Sequence, residues 1–444
     1  MRVKSSKKSK KEIAIVGLGY VGLPLAVEFG KTRPVVGYDI DKHRIDELRS
    51  SYDSSGELGK DEINSAKFLK FSSDPGSLET SEIYIITVPT PINAAKSPDF
   101  SHLLSASHLV GKKLKPRDIV IYESTVYPGA LEEICIPVLS EESGLSCAFS
   151  DLGDHEDVFY CGYSPERINP GDKERNIASI IKVTSGSTAS VADEIDELYS
   201  EIITVGTFKA SSIKVAEAAK VIENCQRDIN IAFVNELSLI FSKLGIDTSE
   251  VLSAASTKWN FLKFTPGLVG GHCIGIDPYY LAHKAASVGH IPELLLAGRR
   301  INESMAKYIA TLAMKKILSR KNFNGPVKTL IMGLAFKENC SDIRNSKAFE
   351  IVSELKEWGC DVDLYDPMLN NDQQKDALTL NIQEIKGNEY DIIFLTVPHK
   401  VFLSMTDDFL SSLVNIKTGS IFVDIKSAFS KDRLEKLGFD VVRL

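Results

Sequence analysis

The sequence is poor in cysteine, and its cysteines follow no pattern. The 444 residues include 7 cysteines, an odd number spread along the chain, and the sequence contains neither a C-x-x-C pair nor an H-E-x-x-H motif. A disulfide framework and a structural zinc site therefore lack support, and we expect no metal site. Scattered free thiols are typical of proteins in a reducing compartment, so we expect a cytoplasmic protein.

Long apolar runs and excess positive charge are also missing. No stretch of 18 or more apolar residues occurs, and no apolar segment of the signal-peptide kind follows the basic start, so a membrane span and secretion are disfavoured. The formal net charge of −8 argues against general binding to nucleic acid or to anionic membranes. Residues 1–11, "MRVKSSKKSKK", are a local exception, which we interpret as a solvated, disordered tail.

What the chain does contain is a regular alternation of apolar runs and helical stretches. Its 43% apolar and 25% charged residues are typical of a globular protein, and 444 residues exceed what one core usually holds. Four runs are typical of buried parallel strands: "EIAIVGL" (12–18), "PVVGYDID" (34–41), "EIYIITVP" (82–89) and "DIVIYEST" (118–125). Such an alternation predicts a doubly wound α/β sheet.

The opening of the chain is echoed near its end. The matching runs are "VKTLIMGLAF" (327–336), "CDVDLYDP" (360–367), "YDIIFLTVP" (390–398) and "SIFVDIKS" (420–427). The second copy lacks a GxGxxG motif, so we expect it to bind its ligand differently from the first.

The segment between the two copies is helical in character. Residues 209–244 contain no Pro and no Gly, and they predict a helix of more than roughly 50 Å if it is unbroken. We therefore predict an α/β protein with two Rossmann-like, doubly wound parallel-sheet domains joined by a long central helix and a helical domain. The predicted boundaries are 1–11 for the tail, 12–208 for the first Rossmann-like domain, 209–320 for the helical domain and 321–444 for the second Rossmann-like domain.

The G-L-G-Y-V-G motif of residues 17–22 follows the first predicted strand and opens a helix. In a dinucleotide-binding turn the first glycine allows the tight turn, the second the approach of a pyrophosphate, and the third close helix–strand packing. Asp39 follows about 20 residues later, where a carboxylate accepts hydrogen bonds from a ribose diol. Its charge disfavours a 2′-phosphate and so favours NAD over NADP, while the cations Lys42 and Arg44 nearby argue in the other direction.

A second glycine-rich segment, "TPGLVGGHCIGIDPYY" (265–280), surrounds a single cysteine. A thiolate near a helix N-terminus or a cation is a strong nucleophile, so Cys273 is a candidate nucleophile, with a buried structural thiol as the alternative. The glycines before it would let a substrate carbon approach closely. His272 is a candidate base or a contact to backbone or substrate. Asp277 could hold a water or an ammonium, and it could also be the N-cap of the helix that begins at Pro278.

Three polar residues of the long helical segment share one helix face. Glu217, Lys220 and Asn224 stand at i, i+3 and i+7. Lys220 could be an ordinary snorkelling lysine, or it could stabilise an oxyanion or relay a proton if it meets Cys273 and Asp277. Sequence spacing leaves both interpretations open.

Taken together, these motifs resemble one known family, the UDP-glucose/GDP-mannose dehydrogenases, over essentially the whole chain after the tail. The resemblance depends on "GLGYVGLPLA", "TVPTPIN", "ESTVYPG", "YSPERINPG", "EAAKVIEN", "GLVGGHCIGIDPYYL" and "GLAFKENCSDIRNS", in that order. The segments "YSPERINPGDKERN", "STKWNFLKFTPGLVGGHCIG" and "LAGRRIN" are most similar to the branch that oxidises UDP-N-acetylglucosamine and UDP-N-acetylgalactosamine for bacterial capsule (Vi-antigen-type) and O-antigen polysaccharides.

The resemblance implies a four-electron oxidation with two NAD per turnover. The C6 alcohol would give a hydride to NAD, the aldehyde would be captured by Cys273 as a thiohemiacetal, and a second hydride transfer would leave a thioester that water hydrolyses to the uronate. The middle domain would support dimerisation, and the last domain would bind the UDP-sugar.

The family's site residues carry over to matching positions of this chain. The resemblance implies that the catalytic residues are Cys273, Lys220, Asn224, Asp277, Glu166 and Thr125. We assign to the cofactor Gly17, Gly19, Tyr20, Val21, Gly22, Asp39, Lys42, Arg44, Pro89, Thr90, Thr125 and Arg344. We assign to the substrate Glu166, Arg167, Lys220, Asn224, Trp259, Asn260, Phe261, Gly270 and Lys337.

Each group has an implied role. Lys220, Asn224 and Asp277 would hold the reacting oxygen and organise water. Thr125 and Glu166 would assist hydrolysis. In the last domain Lys337 would contact substrate, Arg344 would help close the site, and residues 258–264 would bind the uridine diphosphate by aromatic stacking and backbone contacts.

The resemblance also implies a homodimer or a higher homo-oligomer, with no nucleic-acid or membrane partner. The C4 configuration of the sugar stays open, and UDP-N-acetylmannosamine or UDP-glucose are alternative substrates. A two-electron NAD dehydrogenase of the hydroxyacid type would not need Cys273, and an NAD-binding sensor without turnover would need no nucleophile at all.

Overall fold

The structure, a computed structural model, describes residues 10–150, 156–166, 177–320, 326–369, 390–413 and 420–444, together with the single residues 373, 377, 379, 385 and 387. The chain divides into two compact units. Unit 1 consists of Met1–Glu223 and Tyr279–Gly289, and unit 2 consists of Asn224–Pro278 and His290–Leu444. Most of the predicted basic tail lies outside the described residues.

Unit 1 is built on a parallel sheet. Its described strands are β1 (Ile13–Val16), β2 (Val35–Tyr38), β3 (Leu69–Ser72), β4 (Ile83–Ile86), β5 (Ile119–Tyr122), β6 (Ser146–Cys147) and β7 (Val158–Tyr163). They pair in parallel in the order β3-β2-β1-β4-β5-β7-β6. Strands β8 (Lys182–Thr184) and β9 (Thr207–Lys209) form a separate parallel pair. This order is that of a doubly wound sheet, which confirms the predicted fold class.

Helices cover the sheet of unit 1. The described ones are α1 (Gly22–Gly30), α2 (Lys42–Arg49), α3 (Lys60–Ser65), α4 (Ser101–Gly111), α5 (Ile136–Ser143) and α6 (Ala189–Ser200), with a π-helical turn at Leu131–Cys135 and 3₁₀ turns at Pro75–Leu78 and Ile177–Ser179. Apolar side chains of α1, α2 and α6 pack with those of the central strands into a buried cluster.

The predicted long helix is present as α7 (Ile213–Leu244), with 32 residues. At 1.5 Å per residue it spans about 48 Å. The hydroxyl of Ser212 accepts a hydrogen bond from the Val215 N–H at its start, and Gly245, at φ +70°, follows its last residue, as is common at helix C-termini. Its residues belong to both units. Three more helices follow, α8 (Thr248–Ala255), α9 (Asp277–Ser287) and α10 (Glu293–Leu318).

Unit 2 contains a second parallel sheet. Its described strands are β10 (Lys328–Met332), β11 (Asp361–Tyr365), β12 (Ile392–Leu395), β13 (Ser420–Asp424) and β14 (Phe439–Arg443), in the order β11-β10-β12-β13-β14. The described helices after α10 are α11 (Ala348–Glu357), α12 (Lys400–Leu403), α13 (Asp407–Ser412) and α14 (Lys431–Lys436). Ile392 and Phe394 pack in one buried cluster with α10, while Ile393 and Leu395 pack in another on the opposite face, as the two-residue period of a strand requires.

The predicted echo between the two sheets extends to individual hydrogen bonds. The hydroxyl of Thr87 donates to the carbonyl of Gly17 (2.6 Å), and the hydroxyl of Thr396 donates to the carbonyl of Gly333. Both glycines have φ +97°. The same tight turn therefore follows the first strand of each sheet.

The start of α7 is anchored by a buried carboxylate. Glu217 accepts hydrogen bonds from the backbone N–H groups of Gly129 (2.5 Å) and Leu131 (3.0 Å). Burial raises the pKa of Glu217 to about 7, against the two N–H donors, which lower it. Glu217 is fully buried. The sequence pattern placed it on one helix face with Lys220, and in the structure its side chain makes a packing contact within unit 1.

We expect Glu217→Gln to remove a pH dependence of stability. The folded-state pKa of about 7 lies above the ordinary value of 4.5. The stabilising contribution of Glu217 to the free energy of unfolding is therefore fully present below pH 4.5 and is lost as the pH rises through 7. The shift is equivalent to about 3 kcal/mol. Urea denaturation between pH 5 and 8 should show the wild type losing stability relative to the variant. Parallel curves would contradict the assignment.

Among the described residues, none of the helices is both long enough and apolar enough to span a lipid bilayer.

Candidate active site

The predicted cofactor residues of unit 1 lie at one edge of its sheet. The turn of residues 17–22 follows β1, Asp39 follows β2, Pro89 and Thr90 follow β4, and Thr125 follows β5. Since the strands are parallel, their carboxyl ends meet at the same edge, which is where doubly wound sheets bind ligands.

The three glycines of the turn have different surroundings. Gly17 adopts φ +97°, which favours glycine. A Cβ on Gly22 would lie 1.8 Å from the carbonyl oxygen of Gly17, so this position has no room for a side chain. A Cβ on Gly19 would meet no atom within 4 Å. The turn therefore holds α1 tightly against the strand and leaves open space over Gly19, as a pyrophosphate cradle requires.

Asp39 is held by the same turn. Its carboxylate accepts hydrogen bonds from the backbone N–H groups of Leu18 (2.8 Å) and Asp41 (3.0 Å). The guanidinium of Arg44 donates to the Leu18 carbonyl (3.1 Å) and pairs with Asp53 (2.8 Å). Arg44 therefore braces the turn, and its contact with cofactor stays a prediction. Lys42 is exposed at the first position of α2, and Tyr20 and Val21 are half-buried just before α1.

Two predicted residues of unit 1 line one cavity. Glu166, after β7, and Lys220, on α7, contribute to a cavity of about 400 Å³, with Pro165, Ile180, Ile181, Val183 and Glu223 as the other lining residues. Both side chains are buried. The predicted neighbour Arg167 lies outside the described residues.

Behind Glu166 lies a buried cluster that the sequence did not reveal. The ammonium of Lys182 pairs with the carboxylates of Glu123 (2.7 Å) and Glu166 (2.9 Å). The hydroxyl of Tyr199 donates to the other oxygen of Glu123 (2.5 Å). A signal for it was present, because Lys182 begins β8 within an apolar run and Glu123 directly follows the apolar β5. A buried charge in such a place requires a partner.

In unit 2, the cysteine segment forms a turn that leads into α9. The backbone carbonyl of Cys273 accepts hydrogen bonds from the N–H groups of Ile276 (3.1 Å) and Asp277 (2.9 Å). The thiol residue is exposed, unlike the buried Cys135, Cys161, Cys225, Cys340 and Cys360. Cys273 is therefore accessible to a substrate, and the alternative of a buried structural thiol is excluded.

The predicted partners Asn224 and Asp277 meet within unit 2. The amide nitrogen of Asn224 donates to the Asp277 carboxylate at 2.5 Å, and both side chains are buried. Asp277 is the first residue of α9, so it occupies the first turn, one position later than a cap. Asp277 lies four residues after Cys273, and the hydrogen bond from Asn224 on α7 orients its carboxylate.

The glycines before Cys273 have a reason that the sequence patterns did not predict. A Cβ on Gly270 would lie 2.7 Å from the Asn345 carbonyl, and a Cβ on Gly271 would lie 2.7 Å from the Phe336 ring. Gly271 also has φ +81° and donates to the Asn345 carbonyl (3.2 Å). The packing of the loop after β10 therefore requires glycine at both positions. The expectation that they also let a substrate approach stays a prediction.

His272 is also part of this packing. Its Nδ1 lies 3.3 Å from the Asn345 side-chain nitrogen. Burial, and secondly the Arg344 cation, lower the pKa of His272, so the ring is neutral at pH 7. This geometry fits the interpretation of His272 as a structural contact.

A small cavity lies at the carboxyl edge of the second sheet. Its lining includes Gly270, Lys337, Lys347 and Lys426, and the other lining residues are Leu268, Ala335, Phe336, Ser346, Ala348, Thr396 and Val397. Of the lysines, only Lys337 was predicted. Lys347 pairs with Glu350 and Lys426 pairs with Glu338, so neighbouring carboxylates offset part of the positive charge around this cavity.

Trp259, Asn260 and Phe261, which were predicted to bind substrate, do not line this cavity, and neither does Arg344, which was predicted to bind the cofactor. Trp259 is 97% exposed, Asn260 is exposed and Phe261 is half-buried. Arg344 pairs with Asp342 (2.7 Å) in the loop after β10. Their contacts with ligands stay predictions.

Comparison with known proteins agrees with this arrangement. Three models of the UDP-glucose/GDP-mannose dehydrogenase family match successive parts of the chain: the NAD binding domain at residues 11–203, the central domain at 214–304 and the UDP binding domain at 330–431. The chain belongs to this family.

Relatives extend over nearly the full length of this family member. The UDP-N-acetyl-D-glucosamine 6-dehydrogenase of Pseudomonas aeruginosa is 52% identical over 95% of this chain and 98% of its own. The enzyme of the same name from Salmonella typhi is 52% identical over 89% and 91%. Among solved structures, a UDP-D-ManNAc dehydrogenase from Pyrococcus horikoshii has a TM-score of 0.85 at 28% identity, covering 97% and 98% of the two chains.

The matched family domains contain both the glycine turn and the lysines of the second sheet. The matched NAD binding domain contains the turn of residues 17–22 and Asp39, and the matched UDP binding domain contains Lys337, Lys347 and Lys426 at the carboxyl edge of the second sheet. This member of the dehydrogenase family is an NAD-dependent oxidoreductase that acts on a nucleotide sugar.

Proposed function

We propose that the protein oxidises the C6 hydroxyl of UDP-N-acetylglucosamine to the uronic acid. The support is the 52% identity, over almost the whole chain, to two enzymes that carry this activity in their names, compared with 28% for the mannosamine enzyme of known structure. UDP-N-acetylgalactosamine, which differs in the configuration of one hydroxyl, is the second candidate from the sequence motifs.

The observation that carries the chemistry is the exposed Cys273 beside a buried Asn224–Asp277 pair. The NAD site over Gly19 supplies the hydride acceptor for two successive oxidations. After the first, the Cys273 sulfur bonds to the aldehyde carbon as a thiohemiacetal, and after the second it holds a thioester. Water then adds to the thioester carbon, the C–S bond breaks, and the thiol and the carboxylate are released.

The other predicted catalytic residues have separable tasks in this proposal. Asn224 orients the Asp277 carboxylate, which accepts a proton from the reacting hydroxyl or from water. Lys220 supplies positive charge for the oxygen anion that develops at C6. Glu166, with Thr125, accepts the proton of the hydrolytic water.

Counting NADH per sugar tests the proposal directly. With limiting UDP-N-acetylglucosamine and excess NAD, absorbance at the NADH band should give two NADH per sugar, because alcohol and aldehyde are oxidised in succession. One NADH per sugar would indicate a two-electron dehydrogenase, and none would indicate a binding protein. A panel of UDP-N-acetylgalactosamine, UDP-N-acetylmannosamine and UDP-glucose under the same conditions tests the sugar, with kcat/KM highest for the glucosamine compound.

We also propose that the enzyme is a cytoplasmic homodimer that supplies uronic acid for a surface polysaccharide such as a capsule. Phe233, Ile240 and Leu244 are exposed apolar residues on one face of α7, and a second copy of this chain would cover that face. Light scattering of the purified protein should give twice the mass of one chain.

A further inference from the structure

The cluster behind Glu166 is a fully buried group of charges in unit 1. Lys182 is 3% exposed, and its ammonium lies between two carboxylates at 2.7 and 2.9 Å. The ammonium also lies 5.1 Å from the centre of the Tyr199 ring. A buried cation with this number of partners has a fixed position, because each partner removes a direction in which the side chain could move.

The charges within the cluster depend on one another. Burial disfavours the charge on Lys182, but Glu123 and Glu166 more than offset this, and the pKa of Lys182 is raised. Burial raises the pKa of Glu123, and the nearby Glu166 charge raises it further, while the Lys182 cation lowers it without cancelling the rise. One cation therefore supports two buried carboxylates. Without it, two like charges would face each other in a medium of low dielectric constant, and one would take up a proton.

Glu166 is the member of the cluster that reaches the cavity. Ile181 and Val183, the chain neighbours of Lys182, line the cavity together with Glu166, whereas Lys182 belongs to the buried side. The carboxylate of Glu166 thus has Lys182 behind it and the cavity in front of it. Lys220 and Glu223, both on α7, are the other charged residues that line this cavity among those the structure describes.

We propose that Lys182 is a positioning residue for the dehydrogenase reaction, which holds Glu166 as an oriented anion at the cavity wall while Glu123 and Tyr199 hold Lys182. The inference rests on the proposed function, in which Glu166 accepts the proton of the hydrolytic water. Among the described residues, Lys182 itself is not part of the cavity lining. Its effect therefore belongs to thioester hydrolysis and leaves the first hydride transfer intact.

The test compares Lys182→Met and Lys182→Arg with the control Lys209→Met. Lys209 is half-exposed on β9 and pairs with Asp193 at the surface, where an ion pair contributes little. For Lys182→Met we expect steady-state turnover to fall about 10- to 100-fold, because general-base assistance contributes about 10²–10⁴. The first NADH should still form at the wild-type rate. The acid limb of the pH–rate profile should move to higher pH, and Lys182→Arg should restore it.

A second variant gives a shift of opposite sign. Glu123→Gln removes a negative charge near Glu166 but keeps Lys182, so the acid limb should move to lower pH while most activity is retained. This result tests the proposal even if Lys182→Met does not fold. An acid limb that stays in place in Glu123→Gln, or in a folded Lys182→Met, would overturn it.

A double-mutant cycle separates this proposal from the proposed function. If Lys182 acts through Glu166, then adding Lys182→Met to Glu166→Gln should cause no further loss of turnover. If Glu166→Gln alone has wild-type turnover, the assigned role of Glu166 is wrong. If Glu166→Gln is impaired and Lys182→Met multiplies that loss in full, Glu166 keeps its role and the positioning by Lys182 is rejected.

Discussion

Replacing Cys273 by serine is expected to lower turnover of UDP-N-acetylglucosamine by at least about a thousandfold. A hydroxyl is a far weaker nucleophile than a thiolate at neutral pH, so the aldehyde carbon would no longer be held for the second oxidation. Cys273 is exposed, in a turn closed by its own carbonyl, so the substitution should leave the fold intact. NAD and UDP binding, measured by calorimetry, should match the wild type.

Cys147→Ser is the matched control for that variant. Cys147 is a free, half-buried thiol in unit 1, at the edge of its sheet, and the proposed chemistry does not use it. Its replacement should leave turnover within about twofold of the wild type, since surface substitutions have small effects. If Cys273→Ser keeps full activity and still forms two NADH per sugar, the covalent route is wrong.

Replacing Gly19 by valine is expected to weaken NAD binding by about a hundredfold or more while the fold is retained. A Cβ on Gly19 would have no protein atom within 4 Å, so the protein has room for it, and the new side chain would occupy the place predicted for the pyrophosphate. A hundredfold loss corresponds to about 2.7 kcal/mol, since each factor of ten is about 1.4 kcal/mol. Calorimetric titration with NAD measures it, and UDP binding should be unchanged.

Gly22→Ala provides the contrast within the same turn. Its Cβ would lie 1.8 Å from the Gly17 carbonyl, so the helix must move away from the strand and the thermal midpoint should fall. The two variants thus separate a glycine that serves the ligand from one that serves packing. Unchanged NAD affinity in Gly19→Val would show that the pyrophosphate does not approach this turn.

The two kinds of site residue differ in how far sequence could predict them. The turn of residues 17–22 and Asp39 follow consecutive strands of a regular fold, so a local pattern identifies both the conformation and the ligand. Lys426 shares a cavity with Lys337, but Lys426 follows β13 and Lys337 follows β10, far apart along the chain. Their convergence depends on which strands become neighbours in the sheet, and no local pattern records that.

The glycines before Cys273 show that one motif can have two explanations. Sequence identified the segment, but a glycine is required wherever a Cβ would meet any atom, whether of a ligand or of the protein. At Gly270 and Gly271 the neighbouring atoms belong to Asn345 and Phe336. The loop after β10 therefore explains glycine at these two positions without reference to a substrate.

By itself the sequence determined the doubly wound sheets, the long helix, the NAD-binding turn and Cys273 as the candidate nucleophile, because each is specified by residues adjacent in the chain or by a strand–helix period. Only the tertiary structure decided that Cys273 is exposed, that Asn224 meets Asp277, and that Lys182 lies between Glu123 and Glu166. The physical reason is that burial and charge pairing depend on distances in space, and segments far apart along the chain meet only when the sheet has formed.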